Sequence, residues 1–194
     1  MLLTLGLSLS MVAQNAGYVV DYSHTEGFTV TGTSTLHSWT VKCNKIGGTE
    51  AVLSSNFKPG ETIEAFYFFV EVESMDGGRG STMNNKIKTA LQAPDHPKVE
   101  YRQTAPATVQ AGTDGADFQI VSSGELLIGG VSQPVELLLN GKKTADDKIV
   151  LTSTEPLTFS AFNITPPSAM FGQIVCGDDI AVNVKLMLEA KAQN

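Results

Sequence analysis

Charge is scarce in this chain. Asp, Glu, Lys and Arg make up 17% of its 194 residues, and only Arg79 and Arg102 are arginines. With a net charge of −7 the protein is a poor partner for polyanions, so nucleic acid and anionic membrane surfaces are repelled on average. Cysteine is nearly absent: Cys43 and Cys176 allow one pairing, and neither lies in a CxxC that would point to redox catalysis. In an oxidising compartment that pairing would close a long loop and stabilise by up to about 5 kcal/mol in the chain-entropy view. The alternative is two buried thiols acting as small hydrophobes. The three histidines, His24, His37 and His96, show no metal-ligand spacing, so no metal site is expected.

Long apolar runs are missing beyond residues 1–13, MLLTLGLSLSMVA. As a helix this run spans about 20 Å, too short for a bilayer. It suits the apolar region of a secretory signal peptide with Ala13 or Ala16 before the cut, although no Lys or Arg follows Met1. The expected layout is a signal segment at 1–13, reaching 16 in its longer version, and one domain at 17–194. Localisation is then periplasmic or otherwise exported, without stable membrane insertion.

What is present in quantity is glycine, 18 residues, together with period-two alternation along almost the whole chain. Tyr18, Val20 and Tyr22 share one face of a first strand. Trp39, Val41 and Cys43 share a face, as do Phe66, Phe68, Val70 and Val72 opposite Tyr67, Phe69, Glu71 and Glu73. Val182, Val184, Leu186 and Leu188 alternate with Asn183, Lys185, Met187 and Glu189 in the last strand. Pro59-Gly60, Gly77-Gly78, Gly112, Gly129-Gly130, Asn140-Gly141 and Gly177 read as turns between such runs. The class is all-β, with half-polar strands that suit an antiparallel sheet. Closing that sheet removes its edges, so a single extended barrel is expected, with a two-sheet sandwich as the alternative. One segment departs from the pattern: residues 81–93 place Met83, Ile87, Ala90 and Leu91 at helical spacing, with Ser81 or Thr82 as the cap and Pro94 as the stop.

Catalytic constellations are hard to find. His37 and Ser38 are neighbours and, on a strand, point to opposite faces. His96 sits between Asp95 and Pro97 as a turn residue. A hydrolase using His37 or His96 with a carboxylate needs two inward polar groups within reach, and is the weaker reading beside a non-enzymatic barrel. The large inward residues either fill the barrel as a plain core, giving a structural or interaction protein, or leave room for an apolar ligand. Trp39, Phe66, Phe68, Val70, Tyr101 and Phe162 are the candidate lining.

Four stretches together resemble the YceI-like, polyisoprenoid-binding family: GTSTLHSW at 32–39, MNNKIKTALQAPDHPKVEY at 83–101, GELLIGGVSQPVELLL at 124–139 and ITPPSAMFGQIVCGDDIAVNVKLMLEA at 164–190. The resemblance implies a lipocalin-like antiparallel barrel of about eight strands with a helix at one end. It also implies an isoprenoid or other long-chain amphiphile as the bound molecule, with no cofactor and often a periplasmic setting. A homodimer stays open. Leu91-Gln92-Ala93 stands where many members carry an aromatic pair and Asp, and Ser160-Ala161-Phe162-Asn163 keeps only the aromatic of its counterpart. The acidity of the chain favours a neutral or amide head group over an anionic pyrophosphate.

Overall fold

The computed structural model describes residues 15–24, 26–54 and 56–192; the expected signal segment at 1–13 lies outside them. Among the described residues the strands are β1 (Asn15–Asp21), β2 (Thr29–Ser34), β3 (Ser38–Cys43), β4 (Ile46–Gly48), β5 (Thr62–Ile63), β6 (Tyr67–Glu71), β7 (Met75–Asp76), β8 (Lys98–Gln103), β9 (Ala107–Ala111), β10 (Phe118–Ile128), β11 (Val131–Lys143), β12 (Ile149–Thr158), β13 (Ser168–Ala169) and β14 (Ile174–Ala192). Among the same residues the one α-helix is α1 (Ser81–Ala90).

All the pairings are antiparallel, and they return to their start. The order runs β4-β6-β8-β10-β11-β12-β14-β2-β3-β7. β3 and β4 are successive pieces of one bent strand, and they pair with β7 and β6, which are pieces of another. β8 and β9 likewise both pair with β10. Short breaks therefore account for most of the excess over the expected number of strands. The breaks occur where the chain turns a barrel corner, as at the 3-10 turn Val72–Ser74 between β6 and β7.

Alternation holds where the ladder is long. In β10 every second residue from Phe118 to Ile128 is buried. On β6, Phe68 and Val70 face inward while Tyr67 and Phe69 lie outside, covered by Arg102 and Lys98 over their rings at 4.4 and 3.8 Å. Glu71 and Glu73 also point outward and pair with Lys45 and Lys88.

Several local expectations are corrected. Gly177 is not a turn but lies inside β14, at the register irregularity between Cys176 and Ile180. Asn140-Gly141 is not a turn: both residues run inside β11, opposite Thr152 and Leu151. Gly141 is needed there because a Cβ would stand 2.1 Å from the Phe118 ring. The chain reverses at 144–148, where Asp147 takes φ 58°. The helix ends at Ala90 rather than at 93, because Gln92 adopts a left-handed φ of 53° ahead of Pro94. Its N-cap is Gly80 without a side-chain cap, not Ser81 or Thr82. Asn84 instead ties the helix back, accepting from the Gly77 amide at 2.9 Å and donating to Asp76 at 3.1 Å.

The wall is not uniform. β10 and β11 pair along their full length, from Phe118↔Gly141 to Ile128↔Val131. β11 and β12 pair only from Asn140↔Thr152 to Lys143↔Ile149. Above that level the two strands part. The short helical turn Ser160–Phe162 fits beside the opening, where the Gln133 side-chain amide donates to the Ala161 carbonyl at 2.8 Å.

Candidate functional site

The barrel interior has two storeys. In the lower one, Leu53, Phe57, Ile63, Phe66, Ile120, Leu139 and Leu151 pack around a void of about 10 Å³, room for about one water. The upper one is hollow. A cavity of about 300 Å³ opens between β2, β3, β6, the upper parts of β10, β11, β12 and β14, and the helix. That volume is at the lower limit of ligand cavities, roughly 300–1,000 Å³.

A polar girder marks the floor between the storeys. The Tyr101 hydroxyl lies 2.9 Å from the Ser122 carbonyl and 2.7 Å from its Oγ, and Ser122 Oγ donates to Gln103 at 3.2 Å. Both Tyr101 and Ser122 are 1% exposed. Burial, the largest cause, holds the Tyr101 phenol above its ordinary range, and Glu155 adds to it. Gly124 makes the girder possible, since a Cβ there would stand 2.5 Å from Tyr101 Cζ.

The helix closes the upper storey. Met83, Ile87, Ala90 and Leu91, the stripe read from the sequence, all face the cavity. The helix rests on Gly77, where a Cβ would meet Met83 and Ile87. Lys86 Nζ reaches the Ser168 carbonyl across the mouth.

Of the candidate lining residues, Trp39, Phe68, Val70, Tyr101 and Phe162 stand on the cavity wall. Phe66 does not. It lies in the lower storey, packed on Phe68 and Tyr101 at ring-centroid distances of 5.5 and 6.3 Å, because it precedes β6, on the segment that enters the strand from below the floor. Phe162 enters from the short helical turn beside the β11–β12 opening. Trp39 lies across Gly32, donates from Nε1 to the Thr33 carbonyl at 2.9 Å and stacks on Phe159.

The two cysteines are free and also reach the cavity. Their pairing is ruled out by register. Cys43 bonds through its amide to Phe28, whereas Cys176 is opposite Ser34, six residues further along β2. That separation is roughly 20 Å at strand rise, against at most about 7 Å for a disulfide. Burial pushes the Cys43 thiol up to about 12, so it behaves as a small apolar side chain. Cys176 is raised as well by burial, partly offset by Trp39 and Lys86.

His37 also reaches the cavity wall, with Nδ1 3.0 Å from the Ser38 carbonyl. His96 stands elsewhere, against the Gly129-Gly130 turn. Among the described residues no three His, Cys, Asp or Glu side chains are grouped to hold a metal, and no helix is long and apolar enough to cross a membrane.

Residues 18–189 match the YceI-like domain. The chain belongs to the YceI-like family. No curated protein matches it in sequence. This YceI-like barrel is similar to three solved structures, each at low identity, and shares their fold. One is a polyisoprenoid-binding domain from Saccharophagus degradans implicated in plant cell wall breakdown, 14% identical, covering 90% of this chain and 98% of that one with a TM-score of 0.63. Another is BcnA from Burkholderia cenocepacia, 14% identical over 82% and 94% of the two chains, TM-score 0.58. The third is the YceI protein of Campylobacter jejuni, 16% identical over 79% and 85%, TM-score 0.57.

The lining extends well beyond the candidates read from the sequence, and its one carboxylate among the described residues, Glu155, was not among them. Glu155 lies on the wall with Leu137 and Leu157. Its signal lies in the sequence, because Ile149, Leu151, Ser153, Glu155 and Leu157 share one face of β12.

Proposed function

We propose that the upper storey holds the hydrocarbon part of an amphiphile, an isoprenoid or another long-chain lipid, and that the protein binds or carries this molecule without transforming it. The observation that carries this reading is the contrast between the two storeys. One barrel with one inward pattern is filled below and hollow above. Burial of apolar surface is the driving force available to such a wall. Every methylene laid against that wall leaves water. Each contributes about 0.8 kcal/mol before ordering costs. A long isoprenoid would leave part of its chain at the mouth or in the β11–β12 opening.

The apolar run at 1–13 and the family support an exported, periplasmic setting. The candidate contacts are Trp39, Phe68, Val70, Tyr101 and Phe162. Native mass spectrometry of the protein purified from its own host tests the reading. A bound mass that is released by organic solvent and identified as a lipid is expected; a bare chain in every preparation, with no extractable lipid, rejects it.

A further inference from the structure

The cavity wall is apolar almost throughout, and its ionisable members stand out. Arg79 is exposed to solvent at the mouth, where an ion pair contributes little. Lys86 is occupied by the Ser168 carbonyl, and the Tyr101 hydroxyl by Ser122. The Glu155 carboxylate is different. It projects from the inward face of β12 at the level where pairing with β11 has ceased, and among the described residues it accepts no hydrogen bond and forms no ion pair.

Such a carboxylate is costly. A half-buried charged acceptor beside an apolar void loses part of its solvation and recovers none of it from the protein. Burial, and then the charge of Glu136, hold the Glu155 carboxyl above its ordinary range. The same field disfavours any second negative charge in the neighbourhood. A group that donates hydrogen bonds to Glu155 removes the deficit, and a charged donor does so most strongly.

Building on the carrier reading, we propose that Glu155 is the head-group contact of the cavity and selects an amphiphile whose polar end donates hydrogen bonds. An alkylammonium is preferred first and an alkylamide second, over a fatty carboxylate or a phosphate. The hydrocarbon then lies along the wall between Trp39, Phe68 and Leu157, with the head at the split between β11 and β12. The cavity thereby acquires a direction, with an apolar end under the helix and an acceptor at the strand opening.

The test uses the delipidated full chain and four probes of matched length: decylamine, decanamide, decanol and decanoate. They are titrated below their micelle concentrations and slightly above neutral pH. Trp39, the single tryptophan and a wall residue, reports occupancy by fluorescence. Decylamine is expected to bind about tenfold or more tighter than decanoate, as a charge-assisted hydrogen bond contributes. Glu155→Gln should weaken decylamine and strengthen decanoate, a crossover that loss of packing does not produce. A thermal melt of the variant confirms that it is folded, and Glu155→Leu repeats the test with no hydrogen-bonding group at the position. Equal binding of all four probes, unchanged in both variants, overturns the head-group assignment and leaves the carrier reading standing. Decanoate as the tightest ligand overturns it too. If no probe binds the wild-type chain, the carrier reading falls and this inference falls with it.

Discussion

The Trp39 indole lies flat across Gly32, its partner on the neighbouring strand. A Cβ at position 32 would stand 2.3 Å from Cζ2 and 2.8 Å from Cε2 of the ring. The absent side chain is what lets the indole turn along the sheet, reach the Thr33 carbonyl and present its edge to the cavity. Gly32→Ala is therefore expected to destabilise by about 1–3 kcal/mol, the usual cost of overpacking. It should also shift the tryptophan emission, and fluorescence combined with a denaturant melt checks both.

The two storeys should answer differently to the same truncation. Leu139→Ala empties volume in the filled lower storey and should cost about 2–5 kcal/mol. Leu157 borders the hollow storey and is only half-buried, so Leu157→Ala should cost clearly less. Equal losses in chemical denaturation would show that the upper storey is packed like the lower one.

The floor girder has its own signature. Tyr101→Phe removes the hydroxyl that bonds the Ser122 carbonyl and Oγ, while Ser122 Oγ keeps Gln103. A loss of about 0.5–1.5 kcal/mol is expected, the net contribution of one intramolecular hydrogen bond. The ring and its packing on Phe68 persist, so probe binding should survive in a variant that remains folded; equilibrium unfolding and Trp39 fluorescence separate the two effects.

Glu155 makes the stability depend on pH. A carboxyl whose folded-state pKa is raised weakens the fold once ionised. That penalty is absent below the unfolded value and complete above the folded one. Glu155→Gln should therefore raise Tm at neutral pH and leave it nearly unchanged in strong acid. A melt series across pH decides this, and an equal shift at every pH would place the effect in packing.

The cysteines should stay apart under oxidising conditions. Mass spectrometry after oxidation and alkylation in denaturant is expected to find no link between Cys43 and Cys176 within one chain. In the folded protein Cys43 should resist alkylation, because it is 1% exposed and its thiol is held protonated. A peptide joining the two residues would contradict the register of β2 and β3.

Much of the architecture is written in local pattern. The inward row at Phe66, Phe68 and Val70, and the row at Val184, Leu186 and Leu188, follow from a two-residue period that the backbone enforces. The helical stripe of Met83, Ile87, Ala90 and Leu91 follows from the other period. These signals determined the all-β class, the inserted helix and the inward set, and the four family-like stretches determined the fold. Tertiary structure decided the rest. Asn140-Gly141 carries turn chemistry, yet the Phe118 ring claims Gly141 inside a strand. Cys43 and Cys176 have similar inward positions, but their distance depends on register along β2. Phe66 and Phe68 belong to one row, yet one lies in a filled storey and the other borders a void. Register, splitting of strands and empty volume are sums over residues remote in sequence, so alternation along a single strand carries no record of them.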